Sequence, residues 1–217
     1  MRPSAVTFDL DDTLAVVDRS RASLLAEATT RVGAPPISRS AYLEAHSSVW
    51  SSETREPIFD LLLDDSTGID PAELASAYRT VIGEHLLPVP GVEAMLDTIG
   101  QGIPVGLITN GPTVAQLDKL SRLGWTDRFD TVVISGRLGT PKPRPEPFLA
   151  ACDQLGVDRS SVLHVGDHRV HDILGGRRVG FETLHVVDEL GETTSGPAVA
   201  RDELATVLTN RLTPVRH

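Results

Sequence analysis

Val6-Thr7-Phe8-Asp9-Leu10-Asp11-Asp12-Thr13-Leu14 is the stretch that decides how this chain reads. Apolar and β-branched residues lead into an acid, a spacer, a second acid and then a threonine. That order predicts a buried strand ending in two carboxylates. Burying Asp9 and Asp11 side by side is costly unless a cation or a proton compensates them. Stability alone gives no reason for such a pair at a strand end.

Outward from this strand, short apolar runs recur at 105–108, 131–134, 162–165 and 183–187. Helix-like stretches alternate with them at 91–101, 113–123, 146–155, 170–179 and 198–212. Nearly continuous apolar strands alternating with helices predict an α/β, Rossmann-like parallel sheet covered by helices on both faces. Ligands of such sheets sit beyond the carboxyl ends of the strands. Residues 16–87 break the alternation. They show no convincing strand and read as helices at 19–31, 38–49, 54–63 and 71–86. Ser38, and Asp70-Pro71 with Glu73, supply helix-start chemistry. Leu87-Pro88-Val89-Pro90-Gly91 reads as a stiff return to the sheet. The expected division is a core of 1–15 and 88–217 with an all-helical insert at 16–87.

A chain of 217 residues, 40% of them hydrophobic, can bury a sizeable core. Its net charge of −10 argues against binding a nucleic-acid polymer, which would want a basic face. The single cysteine, Cys152, cannot form an intramolecular disulfide and reads as a packed small hydrophobe. No stretch approaches the roughly 20 apolar residues of a membrane span. The N-terminus runs into the first strand without a signal-like apolar region. A soluble cytoplasmic protein is the expectation. Lysine occurs only at Lys119 and Lys142, against 18 arginines.

Four segments end or follow predicted core strands: Asp9-Leu10-Asp11-Asp12-Thr13, Leu107-Ile108-Thr109-Asn110-Gly111, Gly139-Thr140-Pro141-Lys142-Pro143, and Val165-Gly166-Asp167 through Asp172. Together they bring a carboxylate pair, a hydroxyl beside a free backbone amide, a lone lysine and a second carboxylate pair. That chemistry suits a dianionic group and a hard cation.

With these four segments in this order, the chain resembles the haloacid dehalogenase (HAD) superfamily, and within it the aspartate-dependent phosphatases with a helical cap inserted after the first strand. The resemblance runs from Val6 to Asp172. It implies an aspartyl-phosphate mechanism. Asp9 would be the nucleophile. Asp11 would protonate the leaving oxygen and then act as base for water. Thr13 would help fix Asp11, and crowding by Asp9 would split the two carboxyl pKa values. The Thr109 hydroxyl and Asn110 amide would hold phosphoryl oxygens, and Lys142 would neutralise charge between them and the nucleophile. The Asp9 carboxylate, the Asp11 backbone carbonyl and Asp167 would ligate Mg²⁺, and Asp172 would orient a metal-bound water or Lys142. The implied activity is Mg²⁺-dependent hydrolysis of a small phosphomonoester, a nucleotide or sugar phosphate. A cap over the strand ends would exclude phosphoproteins as preferred substrates.

A phosphomutase of the same family remains an alternative. A haloacid dehalogenase is disfavoured by Asp11, which that branch replaces. A phosphonate hydrolase would need a cap lysine, and residues 1–118 hold none. A receiver module places its phosphorylated aspartate on another strand from its acidic pair, and a non-catalytic relative would be expected to have lost a motif residue. His164 reads as a hydrogen-bonded core residue. His168 and His171 read as loop-surface residues rather than transition-metal ligands. Arg144 faces either solvent or the leaving group. In the insert, Arg19, Arg21, His46 and Arg55 read as solvated and Trp50 as packed, with one or two of the five facing the leaving group if the insert is a cap. Phe59, Leu61, Leu62 and Leu63 read as cap core.

Overall fold

The computed structural model describes residues 2–49, 52–189 and 196–213. The chain runs through β1 (Ala5–Phe8), β2 (Ala15–Val17), α1 (Arg21–Arg31), α2 (Arg39–Ser48), α3 (Glu56–Asp60), α4 (Pro71–Glu84) and β3 (Leu86–Pro88). Strand and helix then alternate: α5 (Val92–Gly100), β4 (Val105–Thr109), α6 (Thr113–Leu123), β5 (Thr131–Ile134), α7 (Ser135–Leu138), α8 (Pro145–Leu155), β6 (Val162–Gly166), α9 (Gly175–Val179), β7 (Glu182–Val187), β8 (Ala198–Ala200) and α10 (Leu204–Leu212).

Among the described residues, six strands form one parallel sheet in the order β5-β4-β1-β6-β7-β8. Period-two alternation divides its side chains between the faces. Val6, Phe8, Leu107, Leu163, Val165 and Val186 pack with α5 and α10, through Leu96, Ile99, Leu204 and Leu208. Ala5, Ile108, Val133 and Val162 pack on the other face with Phe148, Ala151 and Cys152 of α8 and with Val179 and Phe181. Strands buried on both faces cannot alternate polar and apolar residues, which explains the unbroken apolar runs. Because β1 lies between β4 and β6, the chain leaves its carboxyl end at the point where the strand order reverses. Asp9 and Asp11 therefore stand at the crevice.

Helices α1 to α4 bury a second core of their own, centred on Leu24, Leu25, Tyr42, Ile58, Phe59, Leu74, Tyr78 and Val81. Their starts carry the expected chemistry. Ser38 Oγ accepts from Ala41 N at 3.1 Å, and Asp70 Oδ1 accepts from Ala72 N at 2.8 Å.

Several elements differ from the sequence expectation. The ends of the 16–87 stretch hold strand after all: β2 and β3 pair antiparallel, Val16 opposite Leu87. Three-residue strands give periodicity too little to register. Residues 198–200 are an edge strand beside β7 and only 204–212 are α-helix, because the four-residue spacing of Leu204, Leu208 and Leu212 does not extend back to Val199. The expected helix at 170–179 opens as a π-helical turn, Arg169–Leu174, with Asp172 inside it. Helix α3 is shorter than expected, and Leu61, read as core, is 61% exposed.

Candidate active site

Loops leaving β1, β4, β5 and β6 converge on one buried ammonium group. Lys142 is 1% exposed. Its Nζ donates to Asp9 Oδ1, Asp172 Oδ1 and the Ile108 carbonyl, each at 2.6 Å. Three donors and three acceptors satisfy the group completely. Asn110 fixes the backbone beneath it in both directions. Its Nδ2 donates to the Lys142 carbonyl at 2.9 Å, and its Oδ1 accepts from Lys142 N at 2.8 Å. Although burial opposes the charge, Asp172 and Asp9 hold Lys142 above its ordinary pKa, so it stays an ammonium.

Asp9, Asp167 and Asp172 present carboxylate oxygens within 4.8 Å of one another. Asp172 is the best supported. Besides Lys142, it accepts from His168 N at 2.9 Å and faces His164 Nε2 at 3.3 Å. A Cβ at position 166 would stand 2.4 Å from Asp172 Cγ, so Gly166 is what lets this carboxylate lie against β6. Burial raises Asp172, but Lys142 and His164 more than offset it and hold its carboxyl well below the usual range. Asp9 goes the other way. Burial raises it, Lys142 offsets only part, and Asp172 and Asp167 add repulsion. Asp167 is pushed up to about 7 by burial and by the charges of Asp172 and Asp12. Three carboxylates against one ammonium make a site with surplus negative charge. An all-oxygen donor set of this kind can hold a hard divalent cation.

Asp11 faces elsewhere. The turn after it passes through Asp12 at φ 58°, the left-handed region that aspartate tolerates better than most residues. Lys119 Nζ donates to both carboxylate oxygens of Asp11, at 2.7 and 2.5 Å. Gln116 Nε2 reaches Oδ2 at 3.1 Å, and Arg21 reaches Oδ1 at 3.0 Å. Burial pushes the carboxyl up, but Lys119 and Arg21 overcome it and hold Asp11 far below its usual pKa. Burial in turn lowers Lys119 to about 8, against the attraction of Asp11. The two carboxyl groups thus differ in pKa, but not through the mutual crowding expected from sequence. Burial, Asp172 and Asp167 raise Asp9, while Lys119 of α6 and Arg21 of α1 lower Asp11.

A cavity of about 460 Å³ lies between these loops and helices α1, α2 and α4. Asp9, Asp11, Lys142 and Asp167 line one wall; Arg21, Arg39, Tyr42, His46, Arg55 and Tyr78 line the other. The Tyr42 and Tyr78 rings meet edge-on at 5.5 Å. Arg39 lies 5.1 Å over the Tyr42 ring and Arg55 5.4 Å over Tyr78, with Arg55 Nε donating to the Tyr42 hydroxyl at 3.1 Å.

Comparison with known proteins gives the same reading as the strand-end residues. Residues 6–186 match the model of the haloacid dehalogenase-like hydrolases. The chain belongs to this family. A glyceraldehyde 3-phosphate phosphatase of Methanopyrus kandleri is 33% identical over 194 residues, 84% of this chain and 83% of that protein. A pyrimidine 5'-nucleotidase of Escherichia coli is 40% identical over 116 residues, only 53% of this chain and 52% of that protein. Among solved structures, a 2-haloacid dehalogenase from Pseudomonas syringae superposes with a TM-score of 0.72 at 23% identity. That match covers 97% of this chain and 99% of that one, and it speaks to the fold alone.

Within this HAD-like site, some residues stand where their motifs placed them and others make different contacts. Thr13, expected against Asp11, donates instead to Asp167 Oδ1 at 3.3 Å, because the Asp12 turn sends Asp11 toward α6. Thr109 is 1% exposed and its Oγ1 accepts from Gln116 at 2.5 Å. His164 is fully buried between Thr7 and Asp172. His168 and His171 stack at 3.9 Å on the cavity rim and stand outside the carboxylate cluster. Arg144 is exposed and lies off the cavity wall. Arg19 pairs with Glu27, away from the cavity. Trp50 lies outside the described residues. Sequence reasoning missed Gln116 and Lys119. A signal existed: they are three residues apart on the helix that follows Thr109-Asn110-Gly111, and Lys119 is one of two lysines. Arg39, Tyr42 and Tyr78 were also missed, and no short motif marks them.

Proposed function

We propose that this chain is a Mg²⁺-dependent phosphatase of small phosphomonoesters, with Asp9 as nucleophile and residues 16–87 as a cap over the core formed by 1–15 and 88–217. The observation that carries this reading is the convergence of Asp9, Lys142, Asp167 and Asp172 at the carboxyl ends of neighbouring strands. The names of the relatives, a triose phosphate phosphatase and a nucleotidase, support small phosphorylated substrates. Among the described residues no helix is long and apolar enough to cross a membrane.

The donor set fits Mg²⁺. The Asp9 and Asp167 carboxylates and the Asp11 backbone carbonyl would hold it, and a bound cation would offset the burial and the neighbouring carboxylates that raise Asp167. When bound, the ion would neutralise these carboxylates and the phosphoryl oxygens as an electrostatic clamp.

Lys142 engages Asp9 Oδ1, leaving Oδ2 for in-line attack on phosphorus. As the Oδ2–P bond forms, the bond from phosphorus to the leaving oxygen breaks, and that oxygen takes a proton from Asp11. Water then attacks phosphorus, Asp11 takes its proton, the Asp9–phosphorus bond breaks and phosphate leaves. The second step uses Asp11 in the anionic form that Lys119 and Arg21 favour. Loading Asp11 with a proton for the first step needs the field of a seated dianion to offset those cations. Because Gln116 already donates to Thr109 Oγ1, the threonine's own proton is free to meet a phosphoryl oxygen beside the Asn110 amide. Asp172 keeps Lys142 in register.

The test is phosphate release from a panel of nucleotides, sugar phosphates and p-nitrophenyl phosphate with Mg²⁺. Stoichiometric phosphate is expected, abolished by chelation and reduced on the order of 10⁴-fold or more in Asp9→Asn. Isomerised sugar phosphate without phosphate release would identify a mutase instead. Undiminished turnover in Asp9→Asn would remove Asp9 from the mechanism.

A further inference from the structure

We propose that the preferred substrate carries, on its leaving group, a second anionic group that Arg39 and Arg55 bind. The proposal rests on the phosphatase reading and adds the chemistry of the substrate's far end.

The charges around the cavity are segregated. Every acid lining it, Asp9, Asp11, Asp12, Asp167 and Asp172, comes from the strand-end loops. Among the described residues, the lining contributed by α1, α2, α4 and the stretch between α2 and α3 holds Arg21, Arg39 and Arg55 and no acid. This is conspicuous in a chain with 30 acidic residues and a net charge of −10. Arg21 is committed to Asp11. Arg39 and Arg55 have no carboxylate within ion-pair distance among the described residues.

These two guanidinium groups are held, not loose. They lie on an aromatic pair, and the Tyr42 hydroxyl fixes Arg55. Stacking on rings orients the planar fork while leaving its edge free for an oxyanion. Both sit on one aromatic cluster, since the Tyr42 and Tyr78 rings meet at 5.5 Å and His46 stacks on Tyr42. Burial and then the charges of Arg55 and Arg39 lower the His46 pKa. An anion bound there would form charge-assisted hydrogen bonds with guanidinium groups that no carboxylate occupies.

The phosphoryl end does not account for them. There Lys142 already donates to Asp9 Oδ1. Arg39 and Arg55 line the cavity from the helical side, with Tyr42 and Tyr78. A substrate with its phosphorus at Asp9 and its leaving oxygen near Asp11 would extend toward Arg55 and Arg39. A second anion on that end would be repelled by the acidic wall and drawn to the arginines, which also fixes the substrate's direction. A carboxylate and a second phosphoryl group share this chemistry.

The experiment compares matched substrates. 3-Phosphoglycerate against glycerol 1-phosphate tests the carboxylate; fructose 1,6-bisphosphate against fructose 1-phosphate tests the phosphoryl group. At least one anion-bearing member should be preferred in kcat/KM by about 10- to 100-fold, the worth of a charge-assisted hydrogen bond or two. Arg39→Gln and Arg55→Gln should each cut that ratio several-fold, and Arg55→Lys should recover part of it. A ratio near one in both pairs, with phosphate released, overturns the inference and leaves the phosphatase reading intact. A preference that survives in both glutamine variants overturns the assignment to these arginines. Binding of the same four compounds to Asp9→Asn with Mg²⁺ reads the preference without turnover. If no compound is hydrolysed by the wild type yet that preference and its loss in the arginine variants persist, the phosphatase reading falls and the anion site stands. If binding shows no preference either, both fall.

Discussion

The two walls of the cavity are built differently. On the sheet side, each charged group is locked by others: Lys142 by three acceptors, Asp172 by Lys142, His168 N and His164, and Asp11 by Lys119, Gln116 and Arg21. On the helical side, Arg39 and Arg55 rest on tyrosine rings and are half-buried, with no ionic partner among the described residues. The first wall holds reacting groups where the strands put them, with its carboxylates in excess around Lys142. The second carries cations that no carboxylate meets among the described residues, as a surface does when it waits for an anionic ligand. A site with one chemistry and many possible leaving groups needs a fixed wall for the first and a separable one for the second.

Removing a cation from each wall gives the largest contrast. Lys142→Met strands Asp9 and Asp172 in a buried site, and breaking a buried pair this way costs about 3–5 kcal/mol. Phosphate release should fall by roughly 10²–10³-fold as well. Arg39→Gln removes a half-buried charge that closes no ion pair, and should change stability by no more than about 0.5 kcal/mol. Urea unfolding at pH 7 measures both. Equal midpoints for Lys142→Met and wild type would mean that the ammonium is not what holds the sheet wall together, and the contrast would break.

Much of the sheet wall could be read from sequence because its residues follow strands. Asp9, Thr109 and Asp167 each sit within two residues of an apolar run, so strand geometry turns sequence position into spatial position; Asp172 follows one turn later, in the π-helical segment after β6. What sequence could not give was the pairing. Thr13 and Asp11 are two residues apart, yet the left-handed turn at Asp12 sends one to Asp167 and the other to Lys119. Lys119 needed the further step of following α6 through one more turn. The helical wall was scarcely legible. Arg39, Tyr42, Arg55 and Tyr78 are spread over forty positions. Only the packing of α2 and α4 brings the two tyrosines together, with the arginines lying on their rings.

Lys119→Met tests whether the clamp on Asp11 belongs to the chemistry or only to the packing. Burial raises the Asp11 carboxyl and Lys119 lowers it; removing the ammonium leaves burial opposed by Arg21 and Gln116 alone. Asp11 should then protonate at higher pH. If Asp11 serves as base in the second step, the acid limb of the kcat profile moves to higher pH, with a loss at neutral pH of about 10²-fold or less. A merely structural lysine would lower the amplitude and leave the limb in place. Lys119→Arg, which keeps the charge, should restore the limb.

The smallest expected effect concerns what lies beneath the sheet wall. His164 is fully buried, with Nδ1 2.9 Å from the Thr7 hydroxyl and Nε2 facing Asp172. Burial lowers its pKa below 6.5, only partly offset by Asp172. As pH falls through 6.5, the unfolded chain takes up a proton that the folded chain refuses, so stability is lost from there down to the folded pKa. Above 6.5 the two states bind the same number of protons and the effect vanishes. One such group gives a slope of at most about 1.4 kcal/mol per pH unit. His46 on the helical wall, also lowered by burial and less enclosed, adds a smaller share of the same sign. His164→Gln should therefore flatten the dependence of the urea midpoint on pH between 5 and 6.5 more than His46→Gln does. If His46→Gln flattened it more, the titrating support would lie under the helical wall, reversing the contrast between the two sides.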